Sequence, residues 1–324
     1  MAEHSDWAFP ASLQPTADET DFDLDAAVRS VVMVHTEIPE DAFTASVLGT
    51  ERIGSGVVIG TDGLVLTIGY LITEAQSLWL TTHDGRVVPG HALAFDQSTG
   101  FGLVMPLAGL ALPALERGTS RCLEVAEDVI VIGHGGLGHC LKAKIIAKRE
   151  FAGYWEYVID EALFTAPPHP EWGGTALVGA DGRLAGVGSL LVQEAVSGET
   201  FDANMFVPID LLEPVLHDLK AFGRPAGPAR PWLGLYATEI QDRLVVGSLA
   251  QSGPAQRAGV RRGDRVLAVA DRPVLGLADL FRKIWSVGPA GTDIPLTLAR
   301  GQGTLRVRVQ SADRNDFLLK PRRH

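Results

Sequence analysis

Cysteine is almost missing from this 324-residue chain. Cys122 and Cys140 are the only two, too few for the disulfide framework that staples small secreted folds, and both are expected as buried thiols. Aromatic residues are sparse at 7%. No apolar run approaches the roughly 18–20 residues a membrane-spanning helix needs, so no span is expected. The opening residues Met1-Ala2-Glu3-His4-Ser5-Asp6 lack the basic patch and apolar stretch of a secretory signal, which sets a cytoplasmic expectation. Positive charge is also short, with 28 Lys and Arg against 39 Asp and Glu for a net −11. Affinity for phosphate rests on Lys and Arg, so nucleic-acid binding is excluded. The remainder, 46% hydrophobic and 21% charged with 36 glycines, is a globular composition with many turns. Its length suggests two domains, or three small ones.

Charge is unevenly placed. Residues 1–25 carry seven acids and no Lys or Arg, so this head reads as a solvated, poorly ordered tail. Over residues 231–312 the sign reverses, eleven basic against six acidic. The reversal follows a Pro/Gly-rich stretch that reads as a semi-rigid linker. The resulting plan is a tail at 1–25, a first domain at 26–219, a linker at 220–230, a second domain at 231–312 and a tail at 313–324.

From about 28 to 215 the pattern is β. Asp62-Gly63, Asp84-Gly85 and Asp181-Gly182 each stand between short apolar runs and predict type I′ hairpins. Further strands are expected at 128–132, 141–147, 154–160 and 204–207, and strands at such spacing mean a sandwich or barrel. Residues 208–219 have helical spacing. The second domain reads as mixed α/β. Ser252 is placed to cap a short helix that Gly259 ends, and Leu277, Leu280, Phe281 and Ile284 form one helical stripe.

In sum these segments resemble the HtrA/Deg family, trypsin-like serine proteases followed by a PDZ domain. The resemblance rests on Gly54-Ser55-Gly56-Val57-Val58-Ile59 with Asp62-Gly63-Leu64-Val65-Leu66-Thr67, on Asp128-Val129-Ile130-Val131-Ile132-Gly133, and on Gly174-Thr175-Ala176-Leu177-Val178 with Asp181-Gly182. In the second half it rests on Trp232-Leu233-Gly234-Leu235, Ser252-Gly253-Pro254-Ala255 and Gly263-Asp264-Arg265-Val266-Leu267. It spans roughly 28–312 and implies an all-β, two-barrel chymotrypsin-like domain followed by a mixed α/β PDZ domain.

The resemblance also assigns positions to the catalytic triad, and none holds the family residue. Tyr70 stands at the His position, Gly100 at the Asp position and Gly173 at the Ser position. Gly173 offers no nucleophile, Tyr70 is a poor base at neutral pH, and Gly100 cannot orient an imidazole. Glu171 replaces a glycine of the oxyanion loop, where a carboxylate opposes developing negative charge, and Trp172 is placed to fill the scissile-bond space. The expected function is therefore an inactive homologue that binds peptides or protein C-termini through its PDZ domain, without a cofactor. In such domains an extended peptide adds to a sheet edge and its carboxylate is caught by a backbone loop. Trp232, Leu233, Gly234 and Leu235 match that loop, and Leu280, Phe281 and Ile284 are assigned to the groove wall. Two other readings stand beside this one. A working serine-type or metal-assisted endopeptidase could be rebuilt from His134, His139, Cys140, His169, Thr175 and Ser189. A structural subunit could instead join an active relative, since the family's barrels trimerise.

Overall fold

Strands β1 (Val31–Glu37), β2 (Glu51–Val58), β3 (Val65–Ile68), β4 (Ser77–Thr81), β5 (Val87–Phe95) and β6 (Phe101–Pro106) close into a barrel in the order β1-β2-β3-β6-β5-β4. Strands β7 (Asp128–Ile132), β8 (Cys140–Gly153), β9 (Tyr157–Ala166), β10 (Ala176–Val178), β11 (Leu184–Val196) and β12 (Glu199–Pro208) then repeat the same circuit as β7-β8-β9-β12-β11-β10. Closure leaves no open sheet edge in either barrel. The inward faces are apolar. Val32, Val34, Leu66, Leu80 and Leu103 fill the first barrel, and Val131, Leu141, Ile145, Leu163, Leu177 and Phe206 the second, all fully buried. Each such side chain contributes about 1.5–3 kcal/mol by leaving water. This computed structural model describes residues 7–196, 199–241 and 243–320. The chain divides into two units, one of Met1–Arg149, Glu161–Ala226 and Leu319–His324, the other of Glu150–Asp160 and Gly227–Leu318.

Several expectations are corrected in the first unit. In the three Asp-Gly turns only the glycine takes positive φ (81° at Gly63, 82° at Gly85, 74° at Gly182), so these are not type I′ turns, which need it at both central residues. The acidic head is not a free tail within its described residues. Phe9 and Leu13 pack on the second-barrel core, and Glu19 pairs with Lys142 at 2.9 Å. Asp23 caps α1 (Leu24–Arg29), which buries Leu24, Ala27 and Val28. Apolar side chains interleaved among the acids outweigh the local charge. Residues 1–6 lie outside the described residues. Cys140 is buried as expected, but Cys122 is exposed. A short α2 (Ala45–Leu48) follows β1, and α3 (Glu213–Phe222) begins later than the 208–219 pattern suggests. A 3₁₀ turn at Ile209–Leu211 precedes it, and Pro214 sits in its first turn, where a missing N–H costs nothing.

In the second unit, β13 (Leu235–Ile240), β14 (Arg243–Leu249), β15 (Arg265–Val269), β17 (Asp293–Arg300) and β18 (Gly303–Gln310) lie in that order. The two-residue β16 (Arg272–Pro273) pairs with β15, so β13 is an edge strand. Two helices, α4 (Pro254–Arg257) and α5 (Leu277–Trp285), pack on the sheet. Gly253, not Ser252, is the N-cap of α4. Ser252 instead takes φ 54°, and its backbone N–H donates to Gln256 Oε1 at 2.7 Å.

Buried Asp264 ties two ends of this unit together. It accepts from Arg300 Nε and Nη2, each at 2.7 Å, and from the Arg261 N–H at 2.8 Å. Asp264→Ala leaves these donors without their anion and is expected to cost about 2–3 kcal/mol. The check is a lowered urea midpoint at unchanged slope; an unmoved midpoint would show that the pair carries no stability.

Candidate functional site

Three anchors set Tyr70 at the rim of a cleft in the first unit. The residue sits in a 3₁₀ turn, Gly69–Leu71, directly after β3. Thr36 Oγ1 donates to the Leu71 carbonyl at 2.6 Å. Arg52 Nη1 donates to the carbonyls of Tyr70 at 2.7 Å and Thr73 at 3.1 Å. Burial lowers the Arg52 guanidinium to about 10, still charged at neutral pH. Gly69 is required where it stands, because a Cβ there would lie 2.0 Å from the Phe95 ring. So held, the Tyr70 hydroxyl donates to the Ser189 carbonyl at 2.9 Å, and burial raises its pKa above the usual phenol range.

That hydroxyl occupies the space above Gly173. A Cβ built on Gly173 would lie 2.7 Å from Tyr70 Oη, closer than real Cβ contacts allow. Gly100 has φ 84° and its carbonyl accepts the Gly69 N–H at 2.7 Å. The nearby acid, Asp96, is turned into its own loop. Its carboxylate accepts from the backbone and hydroxyl groups of Ser98 and Thr99, so it does not serve Tyr70. The loop after Pro170 is committed internally as well. Glu171 N–H donates to His169 Nδ1 at 3.1 Å, Gly174 N–H to Gly188 at 2.8 Å, and Thr175 N–H to Trp172 at 3.3 Å. The Gly173 carbonyl accepts from Ser55 N–H at 2.7 Å. Ile53, Tyr70, His134, Glu171, Trp172 and Gly173 are among the residues lining the cleft, of about 380 Å³.

The histidines gather around Glu171 without forming the sites weighed from sequence. His169 is buried and neutral, lowered to about 4 by burial. Its Nε2 donates to the His139 carbonyl at 3.1 Å, and it has no bond to Thr175, whose hydroxyl donates to Trp172 O. Glu171 Oε2 stands 3.5 Å from His139 Nδ1 and 3.7 Å from His134 Nε2, and Oε1 accepts from Trp7 Nε1 at 3.2 Å. Cys140 is buried, its thiol pushed up to about 12 and its Sγ directed at the Gly136 carbonyl. Among the described residues no three His, Cys, Asp or Glu side chains converge as metal ligands. One pairing went unanticipated. Ser55 Oγ accepts from His134 N–H at 3.0 Å and lies 3.0 Å from His134 Nδ1. Ser55 is fully buried and is not among the residues lining the cleft.

In the second unit the residues expected to wall a peptide groove are core. Leu233, Leu235, Leu280, Phe281 and Ile284 are buried in one apolar cluster, and Trp232 is buried and bridged to Ala312. The backbone N–H groups of the expected carboxylate loop are engaged as well. Glu156 Oε1 accepts from the N–H groups of Leu233 at 3.1 Å, Gly234 at 2.8 Å and Leu235 at 3.2 Å. Gly234 has φ 65°, the left-handed backbone that turns these donors toward one point. Burial pushes the Glu156 carboxyl up to about 7, against the pull of those donors and of the Arg314 guanidinium. Sequence reasoning missed Glu156, because nothing in Tyr154-Trp155-Glu156-Tyr157 points to a partner some eighty residues away.

Two six-stranded barrels of identical circuit with a cleft at Tyr70 and Gly173, and then a small sheet with a backbone carboxylate cradle, define a trypsin-like domain with a PDZ domain. Comparison with known proteins agrees. Residues 54–187 match the Trypsin-like peptidase domain and residues 231–310 the PDZ domain. The serine endoprotease DegS of Escherichia coli is 25% identical over 316 residues, covering 91% of this chain and 88% of its own. A DegP-like periplasmic serine endoprotease of Pseudomonas fulva is 25% identical over 281 residues, 82% of this chain and 57% of its own. The chain thus spans little more than half the length of its DegP-like relatives. Solved structures share the fold. A serine endoprotease from Yersinia pestis aligns with TM-score 0.53 at 21% identity over 91% of this chain and 99% of its own, and the HtrA-type protease AlgW with decapeptide aligns with TM-score 0.54 at 19% over 92% and 99%. The chain shares with the HtrA/Deg proteins the order of a trypsin-like peptidase domain followed by a PDZ domain. No helix among the described residues is long and apolar enough to cross a membrane. Relatives are named as periplasmic, so the cytoplasmic expectation has no support.

Two outcomes test this geometry. Gly173→Ser should destabilise the first unit by about 1–3 kcal/mol through overpacking, and Tyr70→Phe, which deletes only the hydroxyl, should relieve part of it. A double-mutant cycle by chemical denaturation is expected to give a coupling of about 1 kcal/mol or more; strictly additive losses would show that the two positions do not share a volume. His169 is depressed in the folded state, so its contribution is full above pH 6.5 and falls away as pH drops toward 4. Its ring resonances should titrate near 4, and a midpoint near 6.5 would mean the ring is solvated.

Proposed function

We propose that this HtrA-family chain binds polypeptide without cutting it, as a scaffold or regulatory partner that takes peptides or protein C-termini through its PDZ domain. The observation carrying this reading is the Tyr70 hydroxyl, which stands 2.7 Å from where the Cβ of any side chain at 173 would begin. A serine protease needs a hydroxyl there, an imidazole beside it and an acid behind. This chain has Gly173, a phenol held well above neutral pH and Gly100. Donation of the Glu171 N–H to His169 further supports the reading, since it withdraws one of the oxyanion loop's backbone donors. The natural partners are polypeptides with a free C-terminus, and an active relative is a second class of partner.

A different reading draws on the Ser55–His134 contact, with Glu171 beyond it, as a displaced nucleophile and base. Burial of Ser55 weighs against it, because a nucleophile must reach a carbonyl carbon. Incubation with a fluorophosphonate probe and an unfolded casein substrate separates the readings. No labelling and no cleavage are expected. Saturable labelling that Ser55→Ala abolishes would reinstate an enzyme built on that residue.

A further inference from the structure

The carboxylate cradle of the second unit already holds a carboxylate from its own chain. Glu156 lies in the turn between β8 and β9, buried, with φ 64°. Positive φ is unfavourable for a glutamate and is compensated here by three consecutive backbone donors converging on one side-chain oxygen. The flanking residues complete a ligand-like engagement. Val158 is buried in the same apolar cluster as Leu280, Phe281 and Ile284. Arg282 of α5 pairs with Glu150 at 2.5 Å and with Asp160, one on each arm of the hairpin. Tyr154 meets Tyr236 of the edge strand β13 edge-on, with ring centroids 6.1 Å apart. A docked peptide terminus would use the same features: a carboxylate in a backbone nest, an apolar side chain beneath it and polar contacts along the rim.

We propose that Glu156 is a tethered ligand of the PDZ carboxylate loop, so that an external polypeptide C-terminus gains the site only by displacing the 150–160 turn. The inference rests on the reading of this unit as a binder of C-termini and specifies how that site is regulated. If the turn is docked in a ratio K to undocked, the apparent Kd for an external terminus rises by a factor of 1 + K. A tether keeps the competitor at high effective concentration whatever the surroundings.

The test uses the full chain, Glu156→Ala and Glu156→Gln. The probe is a pool of fluorescent decapeptides randomised at the last four positions, prepared with a free α-carboxylate and, separately, as C-terminal amides. Binding is read by anisotropy, and amide hydrogen exchange is followed at 233–235. Glu156→Ala should bind the carboxylate pool about tenfold or more tighter than the parent, show no gain on the amide pool and exchange faster at 233–235. Glu156→Gln keeps the size and one acceptor and should fall between, and it decides the comparison alone if the alanine variant does not fold. Equal carboxylate affinity in parent and folded variants overturns the tethered ligand and leaves the PDZ reading standing. Absence of binding by all three proteins to the carboxylate pool overturns the PDZ reading, and the competition falls with it.

Discussion

The Tyr70 hydroxyl lies between the Ser189 carbonyl, to which it donates at 2.9 Å, and the Cα of Gly173, whose Cβ would stand 2.7 Å away. A Cβ at 173 and the hydroxyl cannot both keep these positions, so the residues at 70 and 173 are sterically coupled. With the phenol in place, a side chain at 173 is accommodated only if something shifts. The hydroxyl makes the bond that fixes the ring, and Arg52, Thr36 and Thr73 hold the backbone that aims it. Gly100 belongs to the same arrangement, because its left-handed backbone and its carbonyl bond to Gly69 shape the turn from the other side. Changing any one of these positions leaves the other two built for the present packing.

A second regularity is common to the two units. In each, loop backbone N–H donation is met by a side-chain acceptor that the chain itself supplies. Near the cleft, Glu171 N–H is satisfied by the neutral ring of His169. In the small domain, the N–H groups of 233–235 are satisfied by the Glu156 carboxylate. Buried backbone donors left without a partner cost about 1–3 kcal/mol each. A cradle that waits for a ligand therefore carries a penalty, and an internal acceptor removes it.

The barrels were legible in the sequence because their signals are local. Alternating Val, Ile and Leu interrupted by Asp-Gly pairs report strands and turns directly, and the charge reversal near 230 marks the second unit. Features that depend on distant partners were not legible. Seven acids in the first 25 residues suggested a tail, yet Phe9 and Leu13 find the second-barrel core and Asp23 finds a helix to cap. Ser252 looked like a cap but is displaced by Gly253, because Pro254 fixes the first helical position one residue later. Leu280, Phe281 and Ile284 read equally well as groove or core, and only packing decides that they are core. Glu156 gave no signal at all, since its acceptors and donors meet across the fold.

An internal carboxylate at the cradle changes what binding there selects for. An empty loop binds any terminus that brings an anion, because the donors read charge and geometry and little else. With Glu156 docked, the anion's advantage is reduced, since one carboxyl group replaces another on the same three donors. The incoming chain must then find its advantage in the other contacts that Val158, Glu150, Asp160 and Tyr154 already make. Specificity is a difference of affinities, and a resident competitor subtracts the part of the affinity that all C-termini share. On the proposed reading, termini are discriminated by how well a side chain and backbone outdo the chain's own hairpin.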